Sequence, residues 1–547
     1  MKPADLQFIV TGHDKFWEDQ RDELMRYKAV YEMDFWAESG DDKTQIRIQT
    51  NDGYGYIESF QSSLFAKNPS VVLKNGVRGK GDLDKASGVV NSFILKSRTQ
   101  VEGASRLALI YPNAFLKMVP TGKEDIYDSV VPVAVPPWEI IVDRDAVRWD
   151  MQRFVGHIYW LPVPEANEKF GSNLEELGQD IEYFFEDEAS EGNKSNPAKI
   201  KPDDNDFKYL KVIEIYDLQN DKMYWWNPAR PDQWLDSADM IPFRDSVDEP
   251  ITPIVPFFYN RIPDRPLVGY SAIKRIYDQL YEMNVIRSFQ ANAVRKASRQ
   301  WLVKKGSVNS DEMARITSGV DGLFVEIESE DPLDSIIRPV PHQQVPIEVT
   351  RYMQEIQSDK DKGSVTAPFT RGEVTKATAT EVAALAAYTT SEIGRMARER
   401  DAAIEQMGRV YLSMLRLFLQ DEKKPTLILL DGRAQSVSGD DLKGDFEFFA
   451  ADQASTPISE AIRQQRLLQN VPVLQALGVP NRKLLEEIVR AMNFPEDWLD
   501  SLPEEPHTGG VPSPSNPEEA TTQDMINNPN PTNVTEQILG GGVGFTQ

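Results

Sequence analysis

Apolar side chains recur at Val382, Leu385, Ile393, Met396, Ile404, Met407, Tyr411, Met414 and Phe418, in steps of three and four and multiples of these. That spacing holds one face of an α-helix for about forty residues, roughly 60 Å at 1.5 Å per residue. Thr378 and Glu381 stand at its head as a T-x-x-E capping box, with Thr378 as N-cap and Glu381 returning to its backbone N–H. The preceding stretch, 363–377, reads GSVTAPFTRGEVTKA and is rich in Thr, Gly and Pro, which predicts a loop. Few monomeric domains contain so long a helix, so the pattern suggests a large assembly.

The rest of the chain alternates between helical and strand patterns. Residues 14–38 read as one helix, with Phe16, Leu24, Tyr27, Val30, Tyr31, Met33 and Phe35 among charges, and a second helix follows near 56–65. Over 107–160 the runs LALIYP, AFLKMVP, SVVPVAVPPWEIIVD and FVGHIYWLP are β-branched and aromatic and predict strands. Strands resume at YLKVIEIYD and MYWWN, and the prolines of 250–266 forbid regular helix there. From Gly269 a helical pattern of nearly thirty residues begins. It leads into a small insert with WLVKKGSV, GLFVEIES and SIIRPVP as strands, then into a shorter helix with Ile347, Val349, Tyr352, Met353 and Ile356 on its apolar side. Two helices thus bracket a compact insert, a stalk with a projecting tip if they pack antiparallel. Beyond the long helix, LILLDGRAQSVSG and FEFFA suggest a hairpin, and 459–502 holds two or three short helices. The tail from Pro503 has six acids and no Lys or Arg, and its Pro, Asn, Gly and Thr content predicts disorder in isolation.

Composition narrows the chemistry. The 547 residues suffice for three or more domains, and 40% hydrophobic content supports real cores; with the helical and strand patterns above, the expected fold class is α+β. A net charge of −26 argues against a broad basic face that grips nucleic acid. It does not argue against a protein that lets DNA pass. The absence of cysteine excludes thiolate metal sites, disulfides and Cys nucleophiles. His13, His157, His342 and His507 are scattered, with no HExxH pattern, so no metal is expected. GVRGKG at 76–81 lacks the spacing of a phosphate loop, and no G-x-S-x-G elbow occurs, so neither cofactor nor catalytic residue is assigned. Asp203, Asp204 and Asp206 offer a remote Mg²⁺-dependent nuclease alternative, in an acidic run at 173–206 that reads as a solvated helix and loop. The N-terminus has no signal-peptide run, and no stretch approaches the ~20 apolar residues of a membrane span, so no membrane partner is expected. Cations concentrate in one place: Lys274, Arg275, Arg287, Arg295, Lys296, Arg299, Lys304 and Lys305 face only Asp278 and Glu282 between 269 and 305. Dipole compensation with salt bridges, and phosphate contact along a DNA path, are both open readings.

Taken in order, PLVGYSAIKRIYDQLYEMNVIRSFQANAVRKA, the insert, the shorter helix and the TRGEVTKATATEVAAL junction resemble a tailed-bacteriophage portal protein, as does VPPWEIIVDRDA upstream. The resemblance covers roughly residues 15–500. It implies an N-terminal wing at 1–268, a first stem helix at 269–299, an α/β clip at 300–345 and a second stem helix at 346–362. It further implies a tunnel loop at 363–377, a long wing helix and hairpin at 378–458, a helical crown at 459–502 and a tail at 503–547. The loop would present Thr366, Phe369, Thr370, Arg371, Glu373 and Lys376 at the narrowest part of a channel. Arg295, Lys296, Arg299, Lys304 and Lys305 would be phosphate contacts near stem and clip. The implied assembly is a non-enzymatic ring, probably of twelve copies, at one capsid vertex of a virion made in the host bacterial cytoplasm. Its implied partners are double-stranded DNA without sequence preference, the terminase large subunit, the major capsid protein, scaffold and a head–tail adaptor. A closing ring needs a heterologous interface, which the apolar face of the long helix could supply. The alternative in the same setting is a head–tail connector or scaffold-type protein without a channel.

Overall fold

The run that begins near residue 379 forms one uninterrupted α-helix, Ala379–Phe418, of 40 residues. It is seen in a computed structural model that describes residues 1–36, 46–76, 81–123, 126, 128–171, 173–182, 184–185, 208–263, 265–299, 301–304, 309–311, 314, 332, 337–339, 347–363, 379–419, 426–430, 433–450 and 471. The chain divides into two units, Met1–Ile462 and Arg463–Gln547, and Val471 is the described residue of the second.

In the first unit, α1 (Pro3–Glu18), α2 (Arg21–Tyr31) and α3 (Asp52–Leu64) precede β1 (Val71–Asn75), then α4 (Leu83–Lys96) and α5 (Arg98–Ile110). A β-rich part follows: β2 (Ala114–Pro120), β3 (Val130–Val135), β4 (Ile140–Val142), β5 (Phe154–Pro162), α6 (Val163–Phe170), β6 (Tyr209–Asp217), β7 (Lys222–Trp226), β8 (Trp234–Ala238) and β9 (Ile254–Phe257). The small strands β10 (Arg261–Ile262) and β11 (Arg265–Gly269) lead to α7 (Tyr277–Arg299), β12 (Trp301–Val303), β13 (Ile337–Pro339) and α8 (Ile347–Gly363). The long helix is α9, and β14 (Thr426–Leu430), β15 (Arg433–Val437) and β16 (Phe446–Ala450) follow it. The architecture is α+β. One sheet is an antiparallel meander, β4-β5-β6-β7-β8; a second runs β3-β2-β9; and β1 pairs with β16.

The core gathers on α9. Ile393, Met396, Ile404, Met407, Tyr411 and Met414 are buried, as expected, but so are Ala403, Val410, Leu412 and Leu415, so the C-terminal half is enclosed on more than one side. Tyr411 stacks on Phe93 of α4 with ring centroids 3.6 Å apart, and its hydroxyl donates to Ile126 O at 3.0 Å. From Ile393 onward the apolar face of α9 is therefore occupied within the subunit and is not an intersubunit surface, contrary to the sequence-based expectation.

Four local readings also change. The single helix expected at 14–38 is two, because α1 seats Leu6 and Val10 against Ile141, Ile213 and Trp226, whereas Leu24, Tyr27 and Val30 of α2 join the main core. LALIYP is not a strand. It ends α5, whose buried Val101, Ala104, Ala108 and Leu109 show the helical period only when the polar residues before Leu107 are included. The helix expected from Gly269 starts at Tyr277, after a 3₁₀ turn at Ile273–Arg275. LILLDGRAQSV closes on itself as the β14–β15 hairpin, and FEFFA pairs with β1 instead.

Buried ionisable groups join the layers. Lys117 on β2 forms an ion pair with Glu214 on β6 and donates to His157 Nδ1 on β5 at 3.0 Å, linking the two larger sheets. Burial and the Lys117 charge hold His157 well below its ordinary value, and Tyr216 donates to the free oxygen of Glu214 at 2.9 Å. Farther along, buried His13 of α1 donates from Nε2 to Trp138 O at 2.8 Å, and burial lowers its pKa to about 4. Glu139, next in sequence to Trp138, is raised to about 7 by desolvation.

These two groups act on stability with opposite signs. Between about 4 and 6.5 the unfolded chain protonates His13 and the folded chain does not, so this contribution rises with pH. Between 4.5 and about 7 the folded chain keeps the Glu139 proton that the unfolded chain releases, so this contribution falls with pH. Each slope reaches at most about 1.4 kcal/mol per pH unit. Urea unfolding from about pH 4.5 to 6.5 should therefore show stability falling with pH in His13→Gln and rising in Glu139→Gln, relative to a flatter parent.

Candidate assembly and nucleic-acid interface

α7 is rooted in the core by Leu280 and Met283, with Ile276 just before it, all buried. α8 packs along it: Tyr352 donates to Glu282 Oε2 at 3.3 Å, and Ile356 is buried. Lys360, with its side chain only 5% exposed, pairs with Asp52 of α3 at 3.1 Å and anchors α8 to the body. Between the helices, β12 and β13 pair antiparallel with Trp301 opposite Pro339, which brings the two ends of the insert together. The predicted helix–insert–helix order is present in these described parts.

One face of α7 carries a polar ladder. Asn292 accepts from Ile46 N at 2.8 Å and donates to Ile46 O at 2.7 Å; Ser288 accepts from Ile48 N at 2.7 Å; Asn284 accepts from Thr50 N at 3.0 Å. The spacing explains the match. Four residues of helix rise about 6 Å, and two residues of extended chain span about 6.6 Å. Side chains at i, i+4 and i+8 thus meet alternate residues of an extended segment and substitute for a neighbouring strand. Trp36 adds a bond from Nε1 to Ile48 O at 3.0 Å.

A second face stays open. Tyr281, Val285 and Phe289, also four apart, are 48%, 39% and 58% exposed, and Val294 beyond them is 65% exposed. A row of large apolar side chains along one helix differs from the isolated exposed hydrophobics of an ordinary surface and marks an interaction site.

The cations expected near stem and clip divide. Lys274 pairs with Glu23 at 2.6 Å and Arg275 with Glu392 at 2.9 Å, so the salt-bridge reading holds for these two. Arg295 is half-buried near the end of α7, and Lys304 is exposed just after β12. Lys296 and Arg299 lie within α7 but their side chains, like Lys305, fall outside the described residues. Thr366, Phe369, Thr370, Arg371, Glu373, Lys376 and Thr378 also lie outside them. α9 begins at Ala379, directly after Thr378, and Glu381 sits in its first turn, its side chain again outside the described residues. Asp203, Asp204 and Asp206 fall outside as well. Among the described residues no group of three His, Cys, Asp or Glu is placed to hold a metal ion, and no helix is long and apolar enough to cross a membrane. The sequence reading missed the ladder, because Asn284, Ser288 and Asn292 look like an ordinary solvated helix face; their regular four-residue spacing was the available signal.

A family model described as phage SU10 portal protein matches residues 117–483, well over half of the chain, and the chain belongs to that family of tailed-phage portal proteins. Such proteins are structural components of the phage head, which places the chain in the virion as a portal component. The match spans β2 through α9 and beyond, and α1–α5 precede it. No curated protein matches the chain.

If the ladder holds the 46–50 segment on α7, Asn292→Ala removes both bonds to Ile46 and should cost about 1–3 kcal/mol locally. Hydrogen exchange at Ile46 and Ile48 should then quicken roughly tenfold or more, with the β6 amides unchanged as internal reference.

Proposed function

We propose that copies of this chain close into a ring, twelve in number, around a channel that passes double-stranded DNA into the capsid and out again. In this reading 1–268 and 378–458 form the wing, 269–299 and 346–362 the stem, 300–345 the clip, 363–377 the tunnel loop and 459–502 the crown. The clip docks the terminase large subunit during packaging and a head–tail adaptor afterwards, and the wing faces the major capsid protein and scaffold. The chain is made in the host cytoplasm and performs no catalysis itself. The loop residues Thr366, Phe369, Thr370, Arg371, Glu373 and Lys376 line the narrowest passage, and Arg295, Lys296, Arg299, Lys304 and Lys305 meet DNA phosphates near the stem and clip.

The observation that carries the ring is the open stripe of Tyr281, Val285 and Phe289 on α7. From Ile393 onward the long helix does not offer the seam, because its apolar face there is already used within the subunit. A stripe on one helix, with no matching copy of itself required opposite, suits a heterologous contact that repeats around an axis. Covering a Val or Phe side chain is worth about 1.5–3 kcal/mol, so a few per interface, repeated at every seam, hold a ring.

The purified protein should show rings with a central hole in electron micrographs. Val285→Asp with Phe289→Asp should weaken association by about a hundredfold or more while leaving the subunit folded. Sedimentation then gives single subunits with an unchanged far-UV spectrum. A parent protein that stays monomeric at every concentration and salt would sink the reading.

A further inference from the structure

The surface of α7 is open in two places, on different sides of the helix. At about 100° per residue, Asp278, Tyr281, Glu282, Val285 and Phe289 share one sector of about 100°, and Arg287 and Val294 stand within about 20° of each other on roughly the opposite side. Every exposed residue of α7 among those described falls in one sector or the other. The arcs between them are occupied. Asn284, Ser288 and Asn292 hold the 46–50 segment along one arc, and Met283, Ile286 and Gln290 are buried or half-buried along the other.

The two sectors complement each other in charge and shape. The first joins the apolar stripe to two carboxylates, Asp278 and Glu282. The second is a row at i, i+4 and i+7: Arg287, the small Ala291 and Val294. Arg287 and Asp278 have no ion-pair partner among the described residues, and Glu282 accepts from the Tyr352 hydroxyl. Ala291 is too short to fill the space between Arg287 and Val294, which leaves a shallow seat for a larger apolar side chain. The spacings also agree. Copies related by a ring axis set their α7 helices side by side and pointing the same way. A shift of five or six residues, about 7.5–9 Å along the helix, then brings Glu282 against Arg287, Val285 against Ala291 and Phe289 against Val294 together. A stripe that met its own copy across a two-fold axis would instead set the carboxylates of both copies on one seam, and like charges there oppose association.

We infer that the occupant of the Tyr281–Val285–Phe289 stripe is the Arg287–Ala291–Val294 row on α7 of the next copy, with Glu282 of one subunit paired to Arg287 of its neighbour. This rests on the ring reading above and names the surface that the stripe meets.

The chain has no cysteine, so introduced thiols report contacts cleanly. In the full chain, Glu282→Cys with Arg287→Cys leaves the apolar stripe intact, and the two positions diverge on one helix, so a disulfide between them joins two copies. Mild oxidation should give a series of linked multimers on a denaturing gel, and either substitution alone should give single chains. In sedimentation, Arg287→Glu should weaken association about tenfold, and adding Glu282→Arg should restore most of that loss. Both positions are exposed, so the subunits should keep the parent far-UV spectrum. Electron micrographs separate the two ways of failing. Rings in the double cysteine variant without linked multimers, or linked dimers from one substitution alone, overturn this pairing and leave the ring reading standing. So does a Glu282→Arg exchange that restores nothing. A parent protein that forms no rings overturns both.

Discussion

A helix of forty residues gains little from its own hydrogen bonds in water; its stability comes from the surfaces that cover it. The C-terminal half of α9 is covered by α4, by β2 and β9, and by β16, with Tyr411 stacked on Phe93 at the centre. Each of those elements is distant from the others in sequence, so α9 is the common wall that fixes where they stand. Arginines on the same helix complete the job. Arg400 donates to Leu64 O at the end of α3, where the last carbonyls of a helix lack internal partners, and Arg395 donates to Asn260 Oδ1 at 3.0 Å beside β10. A guanidinium suits this role because it never loses its charge and presents several donors in a fixed fork.

Rigidity at the core sets the condition for α7 and α8. α7 leaves the body at Leu280 and must present one face to α8 and keep another free. The Asn284–Ser288–Asn292 ladder resolves this with polar rather than apolar groups. An apolar strap would bind the helix no matter which residues lay opposite. Amide and hydroxyl side chains bond only at the matching four-to-two register, so they specify where the 46–50 segment lies. The same reasoning explains the buried Lys117–Glu214 pair: its net contribution to stability is small, but leaving either partner alone would be costly, so it holds the two sheets in one alignment.

Much of this was legible in the residues. AFLKMVP, FVGHIYWLP, YLKVIEIYD and MYWWN are strands because alternation and β-branching are local signals, and the order of helix, insert, helix and long helix already resembles the family. The failures share a cause. FEFFA could not reveal its partner, since β1 lies at the other end of the unit and pairing depends on the whole fold. LALIYP looked like a strand because its helical period lies in the polar residues before it. The apolar face of α9 looked like an assembly surface because periodicity shows that a face is buried, not what buries it. The stripe at Tyr281, Val285 and Phe289 is the converse: its apolar residues were visible, but only the fold shows that the described residues leave them partly exposed.

Charge then bears on what the proposed ring could do. Affinity for DNA falls with salt in proportion to the number of phosphates a protein neutralises, and each added contact also slows movement along the duplex. A chain of net charge −26, if repeated around a channel as proposed, would start from repulsion, so any grip would come from local cations. Of the eight between 269 and 305, Lys274 and Arg275 are consumed by Glu23 and Glu392 near the body. In sequence, Arg295, Lys296, Arg299, Lys304 and Lys305 fall at the far end of α7 and the start of the insert. On the ring reading, the neutralising charge is thereby confined to one level of the channel instead of spread along it. On that reading a narrow band of cations would attract DNA to the opening without adding a contact at every step of its passage, the electrostatic arrangement that a conduit, as opposed to a clamp, requires.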